Sequence, residues 1–537
     1  MTDLLISGGA VIDGTGAPGR AADLLIKDGR IEALLPPGES VAGAEPIDAA
    51  GQVVAPGFID VHTHSDVSVL LDGRAESKIH QGVTTEVTGN CGFSPYPLAA
   101  RHHDQPRRHD HSHRHDQLEL LAGIGDDPID PDWTDLDGYA TAFAERGVAI
   151  NVAPLVGHGP LRIAAAGMAD RVDADQVRTQ QRLLADLLDQ GAFGLSTGLT
   201  YVPSTFAETA ELVELCHTLA RAGALYASHA RHEGVDSIEE AALLGRSTGV
   251  RVQYSHLAIN HPDRWGGAAD LVAVFDRLRR DGVDLAYDVY PYDASASALT
   301  QYLPAWVQAG GVPTMATRLA DPGTRRRAST ELARGWGRGV PWLWDRVILS
   351  RTDGLCGARE GLTVAEAAAE LGRPEPDLVL DLCRAGGNRV QVVLRYRTEA
   401  DMVTFLRQPY ALIGSDGSAL PYRIDRKPHP RAYGAHARVL GRYVRDLGVL
   451  DLASAIRRMT GDAADRIGIA DRGRLRPGLA ADVVVFDPAT VIDRATFLEP
   501  AQRPDGIRHV LVNGTPVITD GRQTPARPGQ VLRRLPR

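Results

Sequence analysis

The sequence predicts an α/β chain: a (β/α)8 TIM-like barrel with a small β-sandwich domain formed by both chain ends. Three observations predict it. Hydrophobic runs of strand length recur eight times, each ending in a polar or metal-ligating residue. Stretches with helical spacing separate most of them, and both ends carry short strands broken by turn residues.

In chain order, residues 4–9, 11–14, 23–29 and 31–34 read as short strands. The first barrel strand is Phe58-Ile59-Asp60-Val61-His62-Thr63-His64-Ser65. Strand residues two apart point the same way, so His62 and His64 can offer two imidazoles to one metal ion. Next come 83–89 before Asn90-Cys91-Gly92, 149–156 before Gly157-His158-Gly159, and 191–195 before Ser196-Thr197-Gly198. The remaining four end at His229, His256, Tyr290 and Asp416. Residues 207–219, 237–244 and 268–280 have helical periodicity between strands. Chemistry in such barrels sits at the C-terminal strand ends, where these His, Cys and Asp residues fall.

Residues 481–487 and 509–514 repeat the short-strand style of the N-terminus. Neither end has enough apolar residues for its own core, so 1–57 and 468–537 are expected to pair beside a barrel of 58–467. Two segments interrupt the plan. Residues 101–117 hold six histidines among Arg and Asp and read as a solvated surface loop. The stretch around 303–346, with the apolar runs 346–350 and 389–396, exceeds what eight strands need and reads as an insertion or lid.

At 537 residues, 43% hydrophobic and 23% charged, the composition is that of a soluble globular protein. A net charge of -10 without a basic stripe argues against nucleic acid. No run of about 18 apolar residues and no signal peptide are present, so a cytoplasmic location without membrane attachment is expected. The four cysteines are scattered, and only Cys91 stands at a strand end.

These motifs carry a resemblance. Gly57-Phe58-Ile59-Asp60-Val61-His62-Thr63-His64-Ser65-Asp66 resembles the first metal motif of the amidohydrolase superfamily. Gly89-Asn90-Cys91-Gly92-Phe93-Ser94-Pro95, Gly194-Leu195-Ser196-Thr197-Gly198-Leu199, Asp288-Val289-Tyr290-Pro291-Tyr292, Gly414-Ser415-Asp416-Gly417 and His429-Pro430-Arg431 are similar to its D-aminoacylase branch, the N-acyl-D-amino-acid deacylases. Many superfamily members bridge two metals with a carbamylated lysine on the fourth strand. This chain has three lysines, Lys27, Lys78 and Lys427, and none is expected at a strand end facing the mouth. Ser196 or a neighbour stands where that lysine would lie, and a thiolate can bridge instead.

The resemblance then implies the site. Cys91, His229 and His256 hold one tight Zn2+, and His62 and His64 with Cys91 and Asp416 form a second, weaker site. Asp416 takes a proton from the attacking water and returns it to the leaving amine. Arg431 grips the substrate α-carboxylate, assisted by Tyr290 or Tyr292 and by Tyr201. His429, between two prolines, reads as a loop residue. One departure stands out: many D-aminoacylases have a basic residue two positions after the sixth-strand histidine, and here that position is Ala258. The implied reaction is zinc-dependent hydrolysis of a small-molecule N-acyl-D-amino acid. The alternatives are a cyclic-amide hydrolase of hydantoinase type, a dipeptidase releasing a D-residue, and a non-catalytic scaffold. The absent barrel lysine argues against the first, and the retained ligands against the last.

Overall fold

The structure is a computed structural model that describes residues 2–100, 108–124 and 129–535. Eight parallel strands form its centre: Phe58–Asp60, Val83–Thr88, Asn151–Pro154 continued by Val156–Gly157, Gly194–Gly198, Leu225–His229, Arg251–Tyr254, Leu285–Val289 and Ala411–Ile413. Each pairs with the next in chain order. The last meets the first through the Asp416 N–H, which donates to His62 O at 2.7 Å, and a parallel bridge between Thr63 and Gly417. The ring is closed, and the polar strand ends share one rim.

Between the third and fourth strands the lower ladder is completed by the C-terminal tail. Val152 bridges Val531, the Gly529 N–H donates to Val148 O and the Leu532 N–H to Val152 O, each at 2.8 Å. The tail thus leaves the sandwich to which sequence assigns residues 468–537.

The sandwich has two sheets. One carries, side by side, Arg522–Gln523, Thr515–Thr519, Ile507–Val512, Val483–Phe486, Val53–Pro56, Ala10–Val11 and Arg20–Ala21. Val54 lies opposite Val485, so the two chain ends interlock in the middle of the sheet. The other sheet holds Arg30–Leu35, Asp23–Lys27, Leu4–Ser7 and Glu45–Asp48. Ile6, Leu24 and Ile26 of this sheet pack on Val11, Val483 and Val485 of the first.

The excursion before the eighth strand is wider than 303–346. Ser295–Ala298, Val347–Arg351 and Gln391–Leu394 make an antiparallel sheet, and helices Gly311–Ala320 and Glu375–Gly386 pack with it around a separate apolar core. The apolar runs left over in sequence are its strands Val347–Arg351 and Gln391–Leu394. No helix among the described residues is long and apolar enough to cross a membrane.

The histidine-rich stretch corrects the expectation of a loop: Arg108–Leu121 is a helix. Its far half is tied down, with Arg114 Nη1 donating to Ala99 O at 2.7 Å and Gln117 Nε2 to Pro97 O at 2.8 Å and Pro160 O at 2.9 Å. Tertiary bonds override the weak local propensity. Residues 101–107 of the expected loop lie outside the described residues.

Beneath the seam of the barrel sits a buried ion cluster. Lys78, in the short helix Glu76–Ile79, places Nζ 2.9 Å from Asp60 Oδ2, 3.0 Å from Glu86 Oε1, 2.6 Å from Ser415 Oγ and 2.9 Å from Gly417 O. Burial alone would lower the ammonium's pKa, but Asp60 and Glu86 raise it above the ordinary lysine value. Lys78→Met strands two carboxylates without a counter-ion, at a cost of about 3–5 kcal/mol. We expect a lower denaturation midpoint, measured by urea titration of the whole chain; an unchanged midpoint would remove Lys78 from the list of fold-closing residues.

Candidate active site

The rim residues reach one another because three of them leave their strands in a left-handed conformation. Cys91, His256 and Asp416 have φ of 52°, 38° and 53°. Such strain in non-glycine residues concentrates at functional sites. The turn at Cys91 needs glycine around it: a Cβ on Gly198 would collide with Cys91 O, and one on Gly92 would lie 2.7 Å from Gly198 N. Ser196 backs the same turn, donating to Gly89 O and accepting the Gly92 N–H at 2.9 Å. The fourth strand thus places a hydroxyl that braces the cysteine.

The donor atoms of His62, Cys91, His256 and Asp416 all lie within 4.8 Å of one another. Cys91 Sγ is 3.2 Å from His62 Nε2 and 3.4 Å from His256 Nε2. Asp416 Oδ1 is 3.5 Å from His62 Nε2 and 2.9 Å from His64 Nε2. His229 stands beside this group, its ring 4.6 Å from that of His256 and its Nε2 2.9 Å from Thr200 Oγ1. Nδ1 of His64 and of His229 is buried without a hydrogen-bond partner among the described residues.

Electrostatics binds the group together. Burial raises the Cys91 thiol pKa, but His62 and His256 pull it well below the usual thiol range. Burial lowers His62, yet Asp288 and Cys91 hold it well above its ordinary value. Burial raises Asp416, and Arg431, His256 and His64 bring it well below the usual carboxylate range. A thiolate, imidazoles and a carboxylate so close together are the nitrogen, sulfur and oxygen donor set that zinc takes. The residues fit the metal.

Asp288 escaped the sequence reading as a site residue. Its Oδ1 lies 3.1 Å from His62 Nδ1 and accepts the His256 backbone N–H at 2.8 Å, while Oδ2 accepts Gln253 Nε2 at 3.1 Å. It orients one candidate ligand and fixes the strained backbone of another. The signal was present: Asp288 and Tyr290 are two apart on a strand, the spacing that pairs His62 with His64.

A cavity of about 480 Å3 opens over the cluster, walled by Tyr201, Tyr290, Trp336 and Arg397. Tyr201 packs its ring 4.8 Å from Phe93 and 5.1 Å from His229. Tyr290 is buried, and its hydroxyl has no partner among the described residues. Tyr292 is placed elsewhere: its hydroxyl donates to Asp493 Oδ2 at 3.1 Å and Arg438 covers its ring, so it belongs to the barrel's flank. Arg431 starts the helix Arg431–Arg438 and sets Nη1 2.6 Å from Asp416 Oδ2. His429 is a loop residue outside the donor cluster, with Nε2 on Ala294 O at 3.1 Å and Nδ1 accepting the Arg431 N–H at 3.0 Å.

A closed parallel barrel with imidazole, thiolate and carboxylate donors on its C-terminal rim is the architecture of a metal-dependent barrel hydrolase. The chain belongs to the amidohydrolase family, whose sequence profile (Amidohydro_3) matches residues 45–518. It is 39% identical over 543 residues to the N-acyl-D-glutamate deacylase of Alcaligenes xylosoxydans xylosoxydans, covering 99% of this chain and 96% of the relative. It is 37% identical to the D-aminoacylase of the same organism, covering 99% of this chain and 98% of the relative. Among solved structures it is similar to an N-acyl-D-glutamate deacylase from Bordetella bronchiseptica complexed with zinc and a phosphonate mimic of the tetrahedral intermediate. That similarity has a TM-score of 0.80 and 35% identity, and it covers 99% of each chain.

Asp288→Asn leaves the size of the residue but removes the charge facing His62. We expect zinc affinity to fall by about 10–100-fold, as for other partners that orient metal ligands, measured by competition with a chromophoric chelator; unchanged affinity would reduce Asp288 to a packing residue.

Proposed function

We propose that this protein hydrolyses the amide bond of N-acyl-D-amino acids, releasing a carboxylate and a free D-amino acid. The observation that carries the reading is the position of Asp416. One face of its carboxylate touches His64 of the donor cluster, and the other touches Arg431, a guanidinium suited to a substrate carboxylate. Metal chemistry and carboxylate recognition meet at one residue, as a linear N-acyl amino acid requires. The named activities of the full-length relatives support the same reaction class.

Cys91, His229 and His256 would hold one zinc, and His62 and His64 with Cys91 and Asp416 a second. Bound zinc lowers the pKa of water and polarises a carbonyl. The chain's own groups do the rest. Asp416, at the cavity floor, accepts a proton at Oδ1 or Oδ2 from the attacking water and delivers it to the leaving nitrogen. Arg431 orients the substrate carboxylate, and Tyr201 and Tyr290 wall the bound amide from solvent. None of the three lysines lines the cavity, and this together with Arg431 favours the linear amide over a cyclic one.

The test is amine release from paired N-acetyl-D- and N-acetyl-L-amino acids with zinc-loaded protein. Release from D substrates alone, abolished by chelator, is expected; opening of hydantoin or dihydrouracil with no deacylation would overturn the reading. Asp416→Asn is expected to lower kcat by about 10²–10⁴-fold, the usual worth of a general acid–base group, with zinc still bound. A variant that turns over at the parent rate would exclude Asp416 as the proton carrier.

A further inference from the structure

The donor cluster does not account for the whole cavity. Arg397 follows the last strand of the inserted sheet, Gln391–Leu394, and lines the same space. Its guanidinium carbon lies 4.7 Å from the centre of the Tyr290 ring, the ring that Arg431 also covers at 4.7 Å. Two cations therefore flank one buried tyrosine. Their circumstances differ. Arg431 Nη1 already meets Asp416 Oδ2, whereas Arg397 has no carboxylate partner among the described residues.

The other cavity cations are neutralised or solvated. Arg231 pairs with Glu240 and Arg338 with Asp236, and Arg264 is exposed at the rim. Arg397 is half-buried and rigidly aimed. Its Nε donates to Asn260 Oδ1 at 2.9 Å, and Glu233 in turn holds Asn260 by its backbone N–H and its side-chain amide. The hydrogen bond uses Nε and leaves both terminal nitrogens of the fork without a protein acceptor among the described residues. A preoriented guanidinium with two free N–H-bearing nitrogens on a cavity wall matches a carboxylate in bidentate geometry.

We propose that Arg397 binds a second carboxylate of the substrate, so that the enzyme selects N-acyl-D-amino acids carrying two negative groups. The proposal rests on the deacylase reading, in which Arg431 takes the α-carboxylate. The second carboxylate belongs either to the amino-acid side chain or to the acyl group, and Arg397 recognises the same chemistry in both.

The experiment compares N-acetyl-D-glutamate with N-acetyl-D-glutamine, and N-succinyl-D-alanine with N-acetyl-D-alanine, on the zinc-loaded full chain and on Arg397→Gln and Arg397→Lys. The expected result is a preference of the parent enzyme for the charged member of one pair by about tenfold or more in kcat/KM. Arg397→Gln removes that preference chiefly through KM, leaves the neutral member within about twofold, and Arg397→Lys restores part of it. The pair that shows the effect identifies which end carries the carboxylate. A parent enzyme that favours the neutral member of both pairs overturns the proposal without reference to any variant. Equal losses on both members of a pair also overturn it, while the deacylase reading stands. Absence of release from every D substrate overturns both together.

Discussion

A parallel barrel must join its first strand to its last, and here the chemistry is built on that joint. The Asp416 N–H donates to His62 O across it, and Lys78 fastens Asp60 of the first strand to Ser415 and Gly417 O of the last from beneath. Because the two strands are locked in register, His64 meets Asp416 at 2.9 Å and His62 meets it at 3.5 Å. Asp60 ties the two strands together, bonding to Lys78 and accepting the Ser415 N–H at 2.8 Å.

Much of this was legible in sequence because two periodicities are local. Alternation of inward and outward residues places His62 with His64, and strand-length runs ending in His, Cys or Asp place His229, His256, Cys91 and Asp416 on one rim. What stayed illegible depends on partners far away in the chain. Lys78 reads as one residue of a helical stretch, and only the fold brings Asp60 and Glu86 to it. Tyr290 and Tyr292 flank one proline, and nothing local says that the first walls the cavity while the second is spent on Asp493. The histidine-rich stretch has the composition of a loop, and its helix is held by bonds to Ala99, Pro97 and Pro160. Arg397 is one of many arginines until the inserted sheet carries it to Tyr290.

The cavity is divided in electrostatic terms. At its floor every charge has an opposite within reach: His62 has Asp288, Cys91 has His62, and Asp416 has both His64 and Arg431. On its wall Arg397 has an amide and an aromatic face but no acid partner among the described residues. A compensated floor tolerates burial, whereas the Arg397 guanidinium on the wall favours an anion beside it. The inserted residues thereby bias what reaches a rim built from the barrel alone.

The tail that completes the lower ladder bears on how the molecule comes into being. Gln530 donates its N–H to Asn151 Oδ1, a contact 379 positions apart, and Val485 settles opposite Val54. Contacts of such separation have a large loop-closure cost and form late. While the chain is being synthesised, the third strand keeps one backbone edge bare, and the N-terminal sheet lacks its middle strand until residues 483–486 emerge. Bare strand edges are templates for pairing between chains. The interlock that seals the finished fold thus leaves bare edges, open to self-association, on the nascent polypeptide until residues 483–532 have emerged.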